Sequence, residues 1–380
     1  MTDGLHLNSE LTAAIVREAA IAAGFAAAGV AAVPEPGSPE DYAELKLVEP
    51  WIAAGRAVEM EYLKRRDEVG RLLRSSLRIA LPWVRSVIVC AASYNSDAPK
   101  SIDPAPLEAG WIARYAWSGQ RNADGYMCPS DYHKVLLHRL RAVESKLKEN
   151  LGGFESRCYV DTGPVVERVY AKYAGIGWIG KNTCVLNQEL GSWLFLAIIV
   201  TSLKVTDVAR IPEDRCGSCR RCIEACPTDA LTAPYQMDAN LCISYLTIEK
   251  RGEIAEELRP KMGRQVFGCD ICQDVCPWNR RAPIGRDDQM QPRSELINPA
   301  LEWLAELDEA GFAQYFFGSP VKRTKLGGLR RNLAIAMGNS GLTRFLPKLR
   351  EWKESTDESV AQAAGWSIAQ LEDSDASVQL

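Results

Sequence analysis

Apolar residues along the first 208 positions recur at two spacings, which predicts a mixture of helices and strands. Residues 11–28 have helical spacing, and a proline- and glycine-containing loop at 34–37 separates them from further helical patterning through residue 63. Short β-branched runs predict strands at 86–91 and 193–201, and a further strand is predicted at 157–160, just before the turn at 161–164. We therefore expect an α/β or α+β domain here.

Polar and conformationally special residues mark where further elements begin and end. Residues 95–130, rich in Pro, Gly, Asn and Ser, are predicted to be an extended loop or insertion. Ser130 and Asp131 can cap a helix that runs to about residue 149. Another helix is predicted from Pro164, where a missing N–H does no harm, to the glycine-rich segment 175–180.

After Pro292 only helical spacing remains, with predicted helices at 329–337, 342–352 and 359–371. Short antiparallel helices of this kind resemble HEAT-type repeats, and one or two units fit the available length. We expect an α+β multidomain protein with an α/β domain at 1–208, a cysteine-rich segment at 209–290 and an all-α HEAT-like domain at 291–380.

Composition and charge are those of an ordinary soluble protein, with 47% hydrophobic and 25% charged residues. The net charge of -4 means that a polyanionic partner must be held by a local basic patch. The most apolar stretch, 19–33, is shorter than the roughly 20 residues that span a bilayer and is expected to be a packed helix. Because no basic segment opens a secretory signal, we predict a cytoplasmic protein without a membrane partner.

Eight of the twelve cysteines follow the spacing of a bacterial two-cluster ferredoxin, with one run starting at Cys216 and another ending at Cys276. In such runs three thiolates hold one 4Fe-4S cluster and the fourth reaches across to another. By this interleaving, cluster one takes Cys216, Cys219, Cys222 and Cys276. Cluster two takes Cys226, Cys242, Cys269 and Cys272.

The alternative for these cysteines is a pair of tetrahedral zinc sites, although zinc knuckles usually pair two short Cys-x-x-Cys hooks. Twelve cysteines in a reducing compartment argue against disulfides. Four cysteines lie outside the pattern and are interpreted as small apolar residues: Cys90, Cys128, Cys158 and Cys184.

Several segments together resemble the epoxyqueuosine reductases, which are cobalamin-dependent iron–sulfur enzymes of tRNA modification. They are DYHK at 131–134, DTGP at 161–164, GWIGKNT at 177–183, CISYLTIEKRG at 242–252, GCDICQDVCPWN at 268–279 and GSPVKRT at 318–324. The resemblance covers most of the chain from about residue 60 onward. It departs from the family at 118–130, which is longer than the usual link into the DYHK segment.

The resemblance implies that the epoxide of epoxyqueuosine, at the wobble position of a tRNA, loses its oxygen as water to give queuosine. Two electrons and two protons are required. The clusters would deliver electrons singly to cobalamin, whose reduced cobalt would act on the epoxide carbon or its radical. The implied partners are the tRNA and an external one-electron donor of the flavodoxin or ferredoxin kind, and the chain is expected to be a monomer.

Asp161 matches the family's proton donor, because a protonated carboxyl at that position could protonate the departing oxygen. From the residues alone, Asp161 could instead cap a helix or form an Asx turn. Asp131 and His133 begin a signature by which some cobalamin proteins supply a histidine ligand, but Leu136 replaces its glycine. The resembled family binds cobalamin without that histidine, so His133 is not expected to ligate cobalt.

The resemblance also suggests contacts to cobalamin and tRNA. Predicted cobalamin contacts are Arg74, Asp131, Val185, Ser244, Cys269 and Asp270. Basic residues near the second cysteine run and at the start of the C-terminal helices are candidates for tRNA phosphates. They are Arg251, Arg323, Lys325, Arg330 and Arg331, and solvated charges of no specific role are their alternative interpretation.

Two rival functions remain open at this point. A cobalamin-dependent reductive dehalogenase shares both cofactors but usually begins with an export signal. A non-enzymatic two-cluster electron-transfer subunit would use the flanking domains only to dock partners.

Overall fold

In the computed structural model the described residues are 11–38, 41–207 and 209–378, with side chains described to residue 373. Within them the chain forms the strands β1 (Ala27–Ala32), β2 (Ser86–Ser93), β3 (Trp111–Ile112), β4 (Ser118–Arg121), β5 (Met127–Pro129), β6 (Ser156–Tyr159), β7 (Trp178–Ile179), β8 (Val185–Leu186), β9 (Leu194–Thr201), β10 (Gln265–Phe267) and β11 (Gln291–Pro292). The helices are α1 (Ala13–Ala22), α2 (Val48–Ala53), α3 (Leu77–Ala80), α4 (Tyr132–Leu151), α5 (Glu167–Tyr173), α6 (Arg221–Glu224), α7 (Ile243–Ile248), α8 (Ile271–Asp274), α9 (Leu301–Ala305), α10 (Glu309–Tyr315), α11 (Lys325–Ser340), α12 (Leu346–Lys353) and α13 (Glu358–Val378).

The described residues divide into two compact units, each built from segments that are discontinuous in sequence. Unit 1 contains the described residues up to Asn95 together with Tyr132–Cys219 and Pro277–Gly285. Unit 2 contains Ser96–Asp131, Arg220–Cys276 and the described residues from Arg286 onward. The linear division into three parts at 208 and 290 assigns roles along the chain, and it stays a prediction.

Unit 1 is built on a four-stranded antiparallel sheet in the order β1-β2-β9-β6. The two central strands pair over their full length, from Ser86 opposite Thr201 to Ser93 opposite Leu194. Their β-branched side chains are almost wholly buried, and each buried Val or Ile contributes about 1.5–3 kcal/mol. Helix α5 packs on this sheet, and its N-terminal end leads back to the loop that follows β6.

The strands predicted at 86–91, 157–160 and 193–201 are confirmed, but the helix predicted at 11–28 is wrong beyond Ala22. The chain turns at Gly24, whose φ is +88°, and 27–32 forms the edge strand β1 instead of continuing the packed helix expected across 19–33. Glycine at position 29 allows β1 to lie close to the end of α5, because a Cβ there would be 2.0 Å from the carbonyl oxygen of Ala174. Close packing against the end of α5 thus overrides the helical propensity of alanine.

Unit 2 combines short strands with a group of helices. Strands β11, β4 and β5 form an antiparallel sheet, and β3 pairs with β10, so the segment 95–130 contains strands where a loop was expected. The predicted C-terminal helices are confirmed as α11, α12 and α13, which pack together. Their HEAT-like character stays a prediction. In the part of the chain that the structure describes, no helix combines the length and apolarity needed to cross a bilayer.

Candidate active site and iron–sulfur site

The loop between β6 and α5 presents Asp161 in a backbone conformation that aspartate rarely adopts. Asp161 has φ +55°, in the left-handed region, and about half of its side chain is exposed. Non-glycine residues keep such conformations only where the surroundings impose them, and they are frequent at functional sites. The conformation directs attention to what holds this carboxylate.

Two side chains from the start of α4 contact the Asp161 carboxylate. The Tyr132 hydroxyl donates a hydrogen bond of 2.6 Å to Oδ2, and Nε2 of His133 lies 3.7 Å from the same oxygen. The Tyr132 ring is buried and stacks on Phe195 of β9, with ring centroids 4.1 Å apart. The sheet therefore fixes Tyr132, and Tyr132 fixes one oxygen of Asp161.

Arg74 holds the remainder of the same loop. Its guanidinium donates to the carbonyl oxygens of Val165 (2.7 Å) and Gly163 (2.9 Å). Its Nε is buried without a hydrogen-bond partner among the described residues. A buried donor without an acceptor costs free energy, so this N–H fits a bound polar group such as the amide oxygen of a corrin side chain.

A second carboxyl, Glu167 at the start of α5, is influenced by the charge of Asp161. Burial raises the pKa of Glu167 to about 7, and the charge of Asp161 acts in the same direction. Arg74 and Arg168 oppose this rise. Glu167 can therefore bind and release a proton near neutral pH.

Among the cysteines assigned to cluster two, Cys269 of unit 2 feels the charges of Cys242 and Cys226. Burial raises the pKa of the Cys269 thiol well above its ordinary value, and the nearby thiols of Cys242 and Cys226 raise it further. The fourth, Cys272, lies on α8, which packs against α6. A Cys269 thiol with a raised pKa keeps its proton until a metal centre displaces it, which fits a ligand of an iron–sulfur cluster.

The first two cysteines assigned to cluster one lie on a loop of unit 1 that is held from several sides. The Asp214 carboxylate accepts a 2.7 Å hydrogen bond from the Cys216 N–H. The Lys181 ammonium donates to the carbonyl oxygens of Gly217 (2.5 Å) and Cys219 (3.0 Å). Burial raises the pKa of Cys216, while the backbone N–H of Lys181 and the indole N–H of Trp178 act against that rise.

The Trp178 indole carries a buried N–H beside this loop whose hydrogen-bonding partner can indicate a bound cluster. Its Nε1 is buried and has no hydrogen-bond partner in the described residues, although it lies close enough to the Cys216 sulfur to favour the thiolate. Sulfur atoms of a bound cluster are acceptors for such a donor. This unpartnered donor at Cys216 therefore fits a cluster sulfur bound there.

The residues predicted to contact cobalamin have different environments. Val185 is buried in β8, whereas Asp131 and Ser244 are partly exposed. Asp270 is buried and accepts hydrogen bonds from the Trp111 indole (3.1 Å) and the Arg114 backbone N–H (2.7 Å). Burial raises the pKa of Asp270 to about 7. These environments do not test a contact to cobalamin, which stays a prediction for each of them.

The basic residues predicted to contact tRNA are not equally available. Arg331 is only 1% exposed and donates to backbone carbonyls of Leu246, Lys250 and Gly252, so its guanidinium stabilises the fold of unit 2. A guanidinium buried in this way is poorly placed to reach a tRNA phosphate, so Arg331 is left out of the tRNA contacts proposed below. Arg251 donates to the carbonyl oxygens of Arg323 and Thr324, while Arg330 donates to that of Leu307.

Three of the predicted tRNA residues are exposed cations: Arg251, Arg323 and Lys325. Arg323 is half exposed and pairs with Glu249 at 2.7 Å, and Lys325 is exposed at the start of α11. Lys322, in the same GSPVKRT segment, is also exposed. We call Lys322, Arg323 and Lys325 the basic patch.

Sequence reasoning missed the roles of Tyr132, Glu167, Trp178 and Lys181. The first lies in the DYHK segment and the last two lie in GWIGKNT, so the motifs pointed to the right segments. Which side chain each residue contacts depends on the sheet and loop packing, and spacing along the chain does not contain that information.

A paired-cluster cysteine pattern in a chain that also presents a fixed carboxylate is typical of an iron–sulfur oxidoreductase. The chain matches the family model described as "Epoxyqueuosine reductase QueG, DUF1730" over residues 74–162 and that of a 4Fe-4S double cluster binding domain over 215–279. It is 40% identical to the epoxyqueuosine reductase of Synechocystis sp. over 284 residues, and this matched region covers 74% of this chain and 91% of that protein. The chain belongs to the epoxyqueuosine reductase family.

Solved structures give the same result. A crystal structure of an epoxyqueuosine reductase with an epoxyqueuosine-modified tRNA-Tyr stem loop superposes with a TM-score of 0.80 and 27% identity, covering 94% of this chain and 89% of that one. The Bacillus subtilis enzyme, in a structure whose aspartate catalytic loop is swung out of the active site, gives a TM-score of 0.77 and 26% identity at the same coverage.

Proposed function

We propose that this protein reduces epoxyqueuosine to queuosine at the wobble position of a tRNA, using electrons that two 4Fe-4S clusters pass to cobalamin. The observation that carries the proposal is the Asp161 carboxylate, held in a left-handed loop by the Tyr132 hydroxyl in a chain of this family. Since the proposed substrate is a tRNA, the reaction is proposed to take place in the cytoplasm. An external one-electron donor supplies the electrons.

The reaction removes one oxygen atom from the substrate. Both C–O bonds of the epoxide break, two electrons and two protons are consumed, and the oxygen leaves as water. When bound, cobalamin supplies a reduced cobalt centre that can act on the epoxide carbon or its radical. Arg74, Asp131, Val185, Ser244, Cys269 and Asp270 are the residues proposed to hold it.

Asp161 is proposed to donate a proton to the departing oxygen. The hydrogen bond from Tyr132 to Oδ2 orients the carboxyl group, because it fixes which oxygen faces the tyrosine. Glu167, whose pKa burial raises to about 7, is a nearby group from which Asp161 can be reprotonated. The exposure of Asp161 leaves room for an incoming substrate.

The remaining parts of the proposal concern the flanking regions. Residues 1–208 are proposed as the cobalamin-binding catalytic domain, and 291–380 as a HEAT-like domain that contacts tRNA. The basic patch supplies phosphate contacts there, supported by its exposed cations in a chain of net charge -4. The activity shared by the curated relatives does not favour a reductive dehalogenase or a pure electron carrier.

Replacement of Asp161 by asparagine tests the proton-donor role. Asp161→Asn keeps the size of the side chain and a hydrogen-bonding oxygen but cannot supply an acidic proton. We expect iron content and cobalamin binding to equal those of the wild type, while turnover falls by about two to four orders of magnitude. Turnover is measured as queuosine formed in nuclease-digested tRNA, and Asp124→Asn, on the exposed link between β4 and β5, is the control. Wild-type turnover in Asp161→Asn would contradict the assignment.

A further inference from the structure

The segment GWIGKNT carries two buried polar groups that the proposed reaction does not use. Trp178 is 2% exposed and Lys181 is 8% exposed. Lysine is rarely buried to this degree without a carboxylate partner. Within the described residues the Lys181 ammonium contacts only neutral carbonyl oxygens, those of Gly217 and Cys219.

An ammonium buried beside neutral dipoles alone is costly, so a negative group is expected nearby. The two carbonyls belong to the loop that begins at Cys216 and ends at Cys219, the first two ligands assigned to cluster one. A 4Fe-4S cluster with four thiolates carries net negative charge in either oxidation state. Its presence accounts for a positive charge at this position.

Trp178 lies against the same loop from another side. Its unpartnered indole N–H is close to the Cys216 sulfur. Its ring also contacts that of Trp278 edge to face, with centroids 5.0 Å apart, and Trp278 is two residues after Cys276 in the chain. Two separate stretches of sequence that adjoin cluster-one ligands therefore meet Trp178.

We infer that Trp178 and Lys181 raise the reduction potential of cluster one, Trp178 by donating a hydrogen bond to cluster sulfur and Lys181 by its fixed positive charge. Reduction adds one electron and thus one negative charge to the cluster. A donor and a cation both stabilise the more negative state, and hydrogen bonds to sulfur and local charge are known determinants of cluster potential. Cluster one is thereby kept reducible by a weaker external donor.

This inference rests on the proposed function only through the cluster ligands, and its test does not depend on tRNA. The anaerobically reconstituted full chain is titrated with dithionite while electron paramagnetic resonance follows each cluster. Trp178→Phe removes the N–H but keeps an aromatic ring, and Lys181→Gln removes the charge but keeps a donor. We compare the proteins at the potential where half of wild-type cluster one is reduced. At that potential, each variant should have a ratio of reduced to oxidised cluster one that is about three- to tenfold lower, because the free energy of one net hydrogen bond is lost.

Three measurements distinguish an effect on the reduction potential of cluster one from an effect on the fold of the loop that holds Cys216 and Cys219. Cluster two should titrate unchanged in both variants, Lys181→Arg should keep the wild-type potential, and Trp303→Phe and Lys353→Gln on unit 2 should shift neither cluster. Wild-type titration of both clusters in Trp178→Phe and Lys181→Gln at full iron content would overturn the inference. If Lys181→Gln does not bind iron, the potential of cluster one in Trp178→Phe tests the inference. If neither variant binds iron, these residues have a structural role only and the inference is overturned.

The outcome also distinguishes this inference from the proposed function. A shifted potential in a protein that leaves epoxyqueuosine unchanged would support the tuning and defeat the proposed reaction. An unshifted potential in a protein that makes queuosine would do the reverse.

Discussion

At the scale of single residues, the site depends on how Asp161 is held. Asp161 has a left-handed backbone conformation, and half of its side chain is exposed. The Tyr132 hydroxyl orients its carboxylate through a hydrogen bond. Exposure alone would let the carboxylate adopt several rotamers. The hydroxyl of a buried ring restricts that choice, so Tyr132 is a positioning residue in this account.

Removing that hydroxyl gives a residue-scale prediction. Tyr132→Phe keeps the stack on Phe195 but loses the 2.6 Å hydrogen bond. We expect kcat to fall by about ten- to a hundredfold, as for a misplaced catalytic group, with the KM for tRNA unchanged. Tyr126→Phe, at an exposed tyrosine, is the matched control. Equal kcat in the two variants would show that Asp161 needs no orientation by Tyr132.

Among the elements of the sheet, the sequence predicted the central strands β2 and β9 and the edge strand β6, but not the other edge strand, β1. The strands β2 and β9 are rich in Val and Ile, which suit a buried sheet, whereas β6 has no β-branched residue and is recognised by the turn that follows it. The alanine-rich β1 has neither signal, because its conformation comes from pairing with β2 and from the close approach of α5. Likewise β4 and β5 lie in a segment whose composition is typical of a loop.

The loop after β6 gives an element-scale prediction. A Cβ on Gly163 would meet the Tyr159 ring at 2.6 Å, so the loop lies against that ring only because residue 163 is glycine. Gly163→Ala should lower the stability of the holoprotein by about 1–3 kcal/mol through overpacking, seen as a lower thermal midpoint at fixed scan rate. Gly153→Ala, where an added Cβ meets nothing within 4 Å, is the control. An unchanged midpoint in Gly163→Ala would mean that the loop does not depend on this contact.

At the scale of the whole molecule, cysteine spacing and motif content identified the family, whereas the roles of individual cations required coordinates. Arg331 illustrates the limit. Its position in a basic run suggested a surface cation, yet it is buried with carbonyl partners. Sequence shows which residues carry charge, but burial decides whether that charge can reach a phosphate.

The basic patch supplies a prediction about the tRNA complex. Changing both Arg323 and Lys325 to Ser should raise the Kd for tRNA several-fold, and the plot of log K against log salt should become shallower by about one unit per lost phosphate contact. Arg344→Ser with Lys353→Ser removes the same charge, and Arg344 is as exposed and ion-paired as Arg323. If both double variants bind tRNA equally at every salt concentration, the patch does not contact it.

The nucleoside that the enzyme makes is the most direct evidence for or against the proposed reaction. The reconstituted wild-type protein, with cobalamin and reductant, is incubated anaerobically with tRNA that carries epoxyqueuosine, and the digested nucleosides are resolved by mass. We predict loss of epoxyqueuosine with equal gain of queuosine, one oxygen lighter, and little conversion in a parallel sample of Asp161→Asn. Unchanged epoxyqueuosine in the presence of intact clusters and bound cobalamin would contradict the account.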